Sequence, residues 1–255
     1  MTAAPGIRCR ALVRRFGDVE ALAGVDLEVG RGALVALAGS NGAGKTTLMK
    51  ILATLLTPTA GTAEVMGLDV GARGLECRRA IGYAPAEERS FPGRLSVMHN
   101  LEFFADLHGV PRPLFRRRAG ELLEALGLER HARTRFAELS SGMKQSLSLA
   151  RALLHDPPVL LLDEPTRSLS PDLARRVGDL LRDLARSGNK AVLLATHNLG
   201  EADAVADEVA VLHRGVLRAQ GRPRDLCASL GLPEPHGAEA LFLALTGEPS
   251  PREAP

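Results

Sequence analysis

The stretch Gly39-Ser40-Asn41-Gly42-Ala43-Gly44-Lys45-Thr46 decides the fold of this 255-residue chain. It follows an apolar run at 34–38 and precedes a segment at 46–56 that has helical character and stops before a proline. Glycine, four residues, glycine, lysine and threonine form the pattern of a phosphate-binding P-loop. Strand, loop and helix in this order begin a nucleotide-binding α/β unit.

The residue types of this loop match the chemistry of a polyphosphate. Glycines let backbone N–H groups turn inward where a side chain would clash. Lys45 places a positive charge on the β- and γ-phosphates, and the hydroxyl of Thr46 is a ligand for Mg²⁺. The alternative is a glycine-rich turn before an ordinary helix, which the preceding strand and the complete spacing disfavour. The predicted binding residues are Gly39, Ser40, Asn41, Gly42, Ala43, Gly44, Lys45, Thr46 and Thr47.

A second apolar run, at 159–162, ends in two acids, Asp163 and Glu164. Ligands of parallel sheets bind at the carboxyl ends of the strands. Asp163 would hold Mg²⁺ through water, and Glu164 would orient or deprotonate the attacking water. Taken alone, this pair could equally begin a solvated loop or cap a helix. Together with the P-loop it favours a catalytic site.

A possible helix start lies shortly before the acids, at Leu139-Ser140-Ser141-Gly142-Met143-Lys144-Gln145. Ser140 is a suitable N-cap for the helical run at 147–154, and a capped N-terminus presents donors to an anion. A lone Ser-Ser-Gly is most often simply a helix cap. In this position the stretch resembles the signature motif of ABC ATPases, usually Leu-Ser-Gly-Gly-Gln.

Other positions agree with that resemblance in the family's order, from about residue 7 to residue 221. His197 ends an apolar run at 191–196 and resembles the switch histidine that contacts the γ-phosphate, although a lone histidine there is unremarkable. Phe16 falls where the family places an aromatic ring against adenine, although by itself it reads as a core residue. The stretch 165–171 resembles the D-loop, and 81–85 leads into the Q-loop.

The resemblance and the pattern of runs together predict an α/β fold. The expected architecture is a P-loop NTPase core with a mostly parallel sheet, an antiparallel β-subdomain and an inserted helical subdomain. We expect an ATPase domain over 1–230, with the helical subdomain at about 86–156, and a short tail over 231–255. Alternating residues at 7–13 and 23–29 indicate early strands, and a hairpin is expected with its turn at Arg214 and Gly215.

The resemblance also implies a mechanism that needs ATP, Mg²⁺ and a second copy of the ATPase. Two copies would close around two ATP molecules, so that Ser140, Ser141, Gly142 and Met143 of one copy contact the γ-phosphate held by the other. Lys45, Glu164 and His197 would be catalytic, with Thr46 and Asp163 at the metal.

Four positions depart from the family pattern. Ala86 stands where the Q-loop glutamine is usual, with Glu87 and Glu88 as neighbouring substitutes. The other three are Ser141 for a glycine, Met143 for a glutamine and Ser170 for the D-loop aspartate. Because the residues assigned to catalysis are intact, we expect hydrolysis to survive. A slower or more partner-dependent turnover is a reasonable hypothesis.

The amino-acid sequences of two segments, 52–62 and 100–105, resemble those of ATPases that pair with ABC-2 type permeases. Such permeases export drugs, lipids or polysaccharides. The resemblance therefore implies an integral membrane permease as partner and a location at the inner face of the cell membrane. One alternative is an ABC ATPase acting on ribosomes or DNA, and another is a regulatory or assembly ATPase. The sequence disfavours the first, because it has one ATPase domain and no long heptad run.

Composition and charge argue against several other classes of protein. The formal charge of +2, from 32 basic and 30 acidic residues, gives no support for nucleic-acid binding. No run approaches the roughly 18 apolar residues of a spanning helix, and the first residues do not predict a signal peptide. Cys9, Cys77 and Cys227 are scattered, as in a reducing cytosol. The four arginines at 112 and 116–118 predict a solvated helix face, with contact to anionic lipid or the permease as the alternative.

Overall fold

The computed structural model describes residues 4–87, 90–232 and 237–248. The strands there are β1 Ile7–Phe16, β2 Val19–Val29, β3 Leu34–Ala38, β4 Ala60–Val65, β5 Leu68–Asp69, β6 Ile81–Ala84, β7 Val159–Asp163, β8 Ala191–Thr196, β9 Glu208–His213 and β10 Val216–Gly221. The helices there are α1 Lys45–Leu52, α2 Gly74–Ala80, α3 Val97–Leu107, α4 Arg112–Ala125, α5 Ser141–Leu154, α6 Pro171–Arg186, α7 Leu199–Val205, α8 Pro223–Ser229 and α9 Ala238–Thr246.

The larger sheet has the strand order β10-β9-β3-β8-β7-β6 and is parallel except for β10. All residues of β3, β7 and β8 are buried, as expected for strands covered on both faces. Their register pairs Ala38 with Thr196 and Asp163 with Ala195. The residues that follow these three strands therefore meet at one edge of the sheet.

The smaller sheet is antiparallel, with the order β2-β1-β4-β5. It packs against the larger sheet through a cluster of buried side chains that includes Ile7, Val29, Leu48, Val65 and Leu193. Helix α1, which follows the P-loop, is part of this cluster. The sheet is the predicted antiparallel β-subdomain, and it packs on the buried face of helix α1.

A helical layer formed by α3, α4 and α5 packs on the opposite side of the larger sheet. Leu101, Phe115, Leu123 and Leu147 are buried in this cluster with Leu160 of β7. This layer lies within the stretch 86–156 that was predicted as an inserted helical subdomain. The α/β architecture and the two added subdomains expected from the sequence are thus confirmed.

The four arginines at 112 and 116–118 lie on helix α4. Arg112, Arg116 and Arg117 are exposed, which agrees with the solvated face. Arg118 differs, because its guanidinium lies 2.8 Å from a carboxylate oxygen of Asp156 and so joins α4 to the loop before β7. Arg117 also lies 4.0 Å from a carboxylate oxygen of Glu121 on the same helix, whereas Arg118 links α4 to a different part of the chain.

Several boundaries differ from the sequence expectation. Helix α1 ends at Leu52 rather than at 56, and Thr54 follows it with a positive φ of 61°. The stretch 231–255, expected as a short tail, contains α9, whose side chains at Leu241 and Phe242 are fully buried. Asp203 of α7 accepts hydrogen bonds from the backbone N–H of Ala238 and anchors the start of that helix. The division into domains stays a prediction.

No helix among the described residues combines the length and the apolar character that crossing a membrane requires. The three cysteines are buried and unpaired. Burial, together with the nearby charge of Asp26, raises the pKa of the Cys9 thiol to about 12. These thiols are therefore core residues.

Candidate nucleotide site

The P-loop and the carboxyl edge of the larger sheet enclose a cleft of about 300 Å³. The P-loop between β3 and α1 forms one wall, and the ends of β7 and β8 form the other. The lining residues are Ala21, Ser40, Asn41, Gly42, Ala43, Gly44, Lys45, Thr46, Thr47, Ala86, Asp163, Glu164, Arg167 and His197. The structure thus brings together most of the residues that the two motifs predicted.

Glycine is required by geometry at two positions of the P-loop. Gly44 has φ of 108°, a conformation that residues with side chains rarely adopt. A Cβ on Gly44 would also lie 2.6 Å from the carbonyl oxygen of Ala21, and one on Gly39 would lie 2.5 Å from that of Leu212. The loop is therefore packed against the two neighbouring elements and is preformed around the cleft.

Lys45 is 7% exposed and its ammonium lies inside the loop. Nζ donates to the carbonyl oxygens of Gly39 at 2.5 Å and Ser40 at 3.1 Å. Burial lowers the pKa of Lys45, and the carboxylates of Glu164 and Asp163 oppose that shift. A cation held by backbone carbonyls in this way is positioned to bind an anion entering the cleft.

Thr46 and Asp163 meet at the bottom of the cleft, where the Thr46 hydroxyl donates to a carboxylate oxygen of Asp163 at 2.9 Å. Asp163 is 1% exposed, and burial raises its pKa, with Glu164 acting in the same direction and the Thr46 bond against it. A buried carboxylate beside a hydroxyl is an oxygen-rich pair that suits a hard divalent cation such as Mg²⁺. Over the described residues, no group of three or more His, Cys, Asp or Glu side chains offers another metal site.

Glu164 and His197 form a side-chain pair that lines the cleft after β7 and β8. Nδ1 of His197 lies 2.8 Å from Oε2 of Glu164. The backbone of Glu164 has φ of 52°, and its N–H donates to the carbonyl oxygen of Ala195 at 2.9 Å. Such a backbone costs on the order of 1–3 kcal/mol and persists only where the surroundings enforce it. The surroundings thus hold the backbone of Glu164 in a strained conformation, and its carboxylate contacts His197 at the cleft.

The signature residues lie in a separate pocket, away from Lys45. Ser140 caps α5 by accepting a hydrogen bond from the N–H of Met143 at 3.3 Å, as predicted. Ser141 and Gly142 line that pocket with Ser168 and other D-loop residues. The full set of predicted signature residues, Ser140, Ser141, Gly142 and Met143, is therefore not brought to the P-loop of the same chain.

Phe16 also lies outside the set of residues that line the cleft. It ends β1 and is 44% exposed, with the guanidinium of Arg14 stacked 4.5 Å from the ring centroid. Its exposure rules out the alternative that it is a core residue. Contact with adenine stays a prediction.

Two departures noted in the sequence can be located. Ala86 lines the cleft as the Q-loop position should, but its methyl group offers no ligand. Its neighbour Glu87 is exposed, and Glu88 lies outside the described residues. Ser170 lines the pocket of the signature residues and is the N-cap position of α6.

Sequence reasoning missed three residues of this region. Arg167 lines the cleft from the D-loop, and Ala21 lines it from β2. Glu201 of α7 is half-buried beside the end of β8, where it accepts hydrogen bonds from two threonines. Arg167 could have been found from the sequence, because it is a basic residue within the stretch that resembles the D-loop. The position of Glu201 depends on how α7 packs.

A preformed glycine loop, a buried ammonium and an acid pair at the carboxyl edge of a parallel sheet suit a nucleoside triphosphate and its hydrolysis. The fold and the cleft together define the class of P-loop nucleoside triphosphatases.

Comparison with known proteins identifies the family within that class. The family model described as ABC transporter matches residues 22–167. The chain is 41% identical over 218 residues to the daunorubicin resistance ATP-binding protein DrrA3 of Streptomyces coeruleorubidus, covering 86% of this chain and 68% of that protein. It is 35% identical over 223 residues to the Nod factor export ATP-binding protein I of Cupriavidus pinatubonensis, covering 88% and 68%.

Solved structures agree with this result. An ATP-binding subunit of an ABC transporter superimposes with a TM-score of 0.87 at 28% identity, covering 94% of this chain and 98% of that one. A dimeric bacterial ABC transporter cassette gives a TM-score of 0.76 at 27% identity, covering 85% and 98%. The chain belongs to the ABC transporter family and is an ATP-binding, ATP-hydrolysing subunit. The family predicted from the motifs is confirmed.

Proposed function

We propose that this chain powers export through an ABC-2 type permease by closing as a dimer around two ATP molecules. The observation that carries the proposal is the separation of two half-sites in one chain. Lys45 and Glu164 line one pocket, whereas Ser140 and Gly142 line another. Because one chain keeps these groups apart, a second copy is needed to complete each site.

In the closed dimer, the N-terminus of α5 from one copy would face the γ-phosphate bound to the other. The Ser140 hydroxyl and the positive end of the helix dipole suit that anion. ATP binds the closed state better than the open state, so it shifts the population toward closure. The dimeric arrangement of a similar cassette supports this proposal.

Five residues of the cleft have roles in the proposed hydrolysis. Lys45 binds the β- and γ-phosphates, and Glu164 orients or deprotonates the attacking water while His197 holds that carboxylate. Thr46 and Asp163 would hold Mg²⁺, which neutralises developing phosphate charge when bound. Hydrolysis removes the γ-phosphate that joins the two copies and so reopens the dimer.

The permease would dock in a groove of about 660 Å³ between β6 and the helical layer. Leu55, Tyr83 and Phe104 make it largely apolar, while Lys50 and Arg78 lie along it. It is close to Ala86, which lines the ATP cleft. Because the relatives include ATP-binding proteins named for drug resistance and Nod factor export, export is the direction we propose. Docking would hold the chain at the inner face of the membrane.

Light scattering of the Glu164→Gln variant tests the dimer. Without a functional base, the closed state should persist, so we expect a dimer only in the presence of Mg-ATP. Glu138→Gln changes an exposed acid in the same way and should stay monomeric under turnover. A Glu164→Gln chain that binds ATP but remains monomeric would contradict autonomous closure.

Co-purification with an integral membrane protein tests the transport role. We expect a multi-span permease to be retained by the chain from detergent-solubilised membranes, and Leu55→Asp in the groove to abolish that retention. Retention of ribosomes or DNA instead would support the alternative function. Turnover measured with and without the permease tests partner dependence, which the departures at Ala86, Ser141, Met143 and Ser170 lead us to expect.

A further inference from the structure

A single carboxylate of α7 joins the two strand ends that carry the proposed catalytic pair. The hydroxyl of Thr166, in the D-loop after β7, donates to Oε1 of Glu201 at 2.5 Å. The hydroxyl of Thr196, the last residue of β8, donates to Oε2 of the same side chain at 2.8 Å. Both oxygens of Glu201 are therefore used, each on a different strand end.

The position of Glu201 is itself fixed by the start of its helix. The side chain of Asn198 caps α7 by accepting a hydrogen bond from the backbone N–H of Glu201 at 3.2 Å. The N–H of Asn198 donates in turn to the hydroxyl of Thr196 at 3.0 Å. Thr196 thus receives one hydrogen bond and donates another, which leaves its hydroxyl in one orientation.

The two threonines are close in sequence to the proposed catalytic residues. Thr166 lies two residues after Glu164, and Thr196 immediately precedes His197. The two strand ends are also joined by the bond from Glu164 N–H to the Ala195 carbonyl. Glu164 has a positive φ, so its backbone needs restraint from its surroundings to stay in place.

We propose that Glu201 is a positioning residue for ATP hydrolysis, which holds the D-loop and the end of β8 at the spacing that lets Glu164 and His197 meet. It acts through the two threonines and does not line the cleft. The inference rests on the catalytic roles proposed for Glu164 and His197.

Glu201 is half-buried, and its side chain lies among polar groups that include Thr166 and Asn198. Partial withdrawal from water raises the pKa of Glu201 while the two threonine bonds oppose that shift, as expected for a carboxylate that is hydrogen-bonded where it is desolvated. The carboxylate suits the position because it accepts two hydroxyls that come from separate segments.

The same helix supplies a matched control. Asp203 is also a carboxylate whose pKa is raised by burial, but it accepts from the N–H of Ala238 at the start of α9. Asp203→Asn therefore changes an acid of α7 that does not contact either strand end. It should leave the kinetic constants of ATP hydrolysis unchanged.

Steady-state ATP hydrolysis by this chain tests the proposal. We expect Glu201→Ala to lower kcat roughly 10- to 100-fold, since small displacements of reacting groups have effects of that size, with KM for ATP changed by less than about 3-fold. Glu201→Gln keeps the shape and one acceptor oxygen, so it should fall between Glu201→Ala and the native chain. Thermal unfolding of each variant shows whether it is folded.

A double variant separates positioning from general damage. Thr166→Val with Thr196→Val removes both donors while leaving Glu201, and it should lower kcat as Glu201→Ala does. Adding Glu201→Ala to it should cause little further loss, because the three residues act as one unit. Unchanged kcat in Glu201→Ala, or a fall in kcat matched by Asp203→Asn, would overturn the proposal. If Glu164→Gln is inactive while Glu201→Ala is fully active, only this inference fails. If Glu164→Gln turns over normally, the proposed roles fail first.

Discussion

Nδ1 of His197 lies 2.8 Å from Oε2 of Glu164, so the side chains after two neighbouring parallel strands are in direct contact. The register of β7 and β8 makes this possible, because it sets Asp163 beside Ala195, so that Glu164 and His197 follow within one and two residues of that pair. The histidine therefore restrains the carboxylate that we propose as the base.

Removing this restraint should slow hydrolysis. His197→Ala leaves the P-loop intact, so we expect ATP binding to change little while kcat falls about 100-fold, in the range that a positioned acid–base group contributes. Rates of phosphate release at saturating ATP measure the effect. His131→Ala, in a short turn outside the cleft, is the control and should match the native rate. Equal rates in both variants would contradict the role of His197.

Gly44 should tolerate no side chain. In Gly44→Ala the new Cβ meets the Ala21 carbonyl and the backbone keeps φ of 108°, so the P-loop must move. We expect ATP affinity, measured by calorimetry, to fall at least about 10-fold, which is a free-energy cost of about 1.4 kcal/mol. Gly67→Ala is a matched control, because Gly67 has φ of 74° with open space around it. It should lose about 1 kcal/mol of stability and bind ATP normally.

Arg167 adds a positive charge at the mouth of the cleft. Arg167→Gln should weaken ATP binding several-fold at low ionic strength, and the difference from the native chain should shrink as salt rises, because exposed charges are screened. Binding titrations at two salt concentrations give the comparison. Arg116→Gln alters an exposed arginine of α4 and serves as control. An effect of Arg167→Gln that does not depend on salt would point to packing rather than charge.

His155 should make the fold sensitive to mild acid. Its ring stacks on His108 with centroids 3.8 Å apart, and its Nε2 lies 3.1 Å from the Ile81 carbonyl oxygen. Burial and the neighbouring His108 lower the pKa of His155 from 6.5 to about 4. Between these values the unfolded chain binds a proton that the folded chain does not, so stability falls as pH drops from about 6.5 toward 4.

The urea midpoint measured across that pH range tests this expectation. His155→Gln retains an N–H for the Ile81 carbonyl but cannot titrate, so its midpoint should fall less steeply than that of the native chain. Other acids and histidines titrate in both proteins, and the difference between the two curves isolates His155. Parallel curves would show that His155 contributes nothing to the acid sensitivity.

The sequence was most informative where a motif fixes the backbone. The pattern from Gly39 to Thr46 predicted a strand, a loop and a helix in the observed order, and the acids after β7 lie in the same cleft. The hairpin turn at Arg214 was also predicted, and the early strands predicted at 7–13 and 23–29 lie within the longer β1 and β2. In each case the signal is local, because periodicity and turn residues depend on neighbours along the chain.

Features that depend on long-range packing were harder to predict. Helix α9 follows several turn-forming residues and was expected as a tail, yet Phe242 is fully buried because α7, β9 and α8 form a surface for it. Glu201 belongs to no motif, and its proposed role depends on Thr166, which is distant in sequence, and on Thr196 at the end of β8. Strand β6 is short and was read only as the approach to the Q-loop.

The separation of the Lys45 cleft from the Ser140 pocket has a genetic consequence. In the proposed dimer of two copies of this chain, damage to Lys45 in one copy and to Ser140 in the other falls on the same composite site and leaves the second site whole. Two inactive alleles, each carrying one of these changes, should therefore restore partial activity when expressed together, whereas two copies of either allele alone should not.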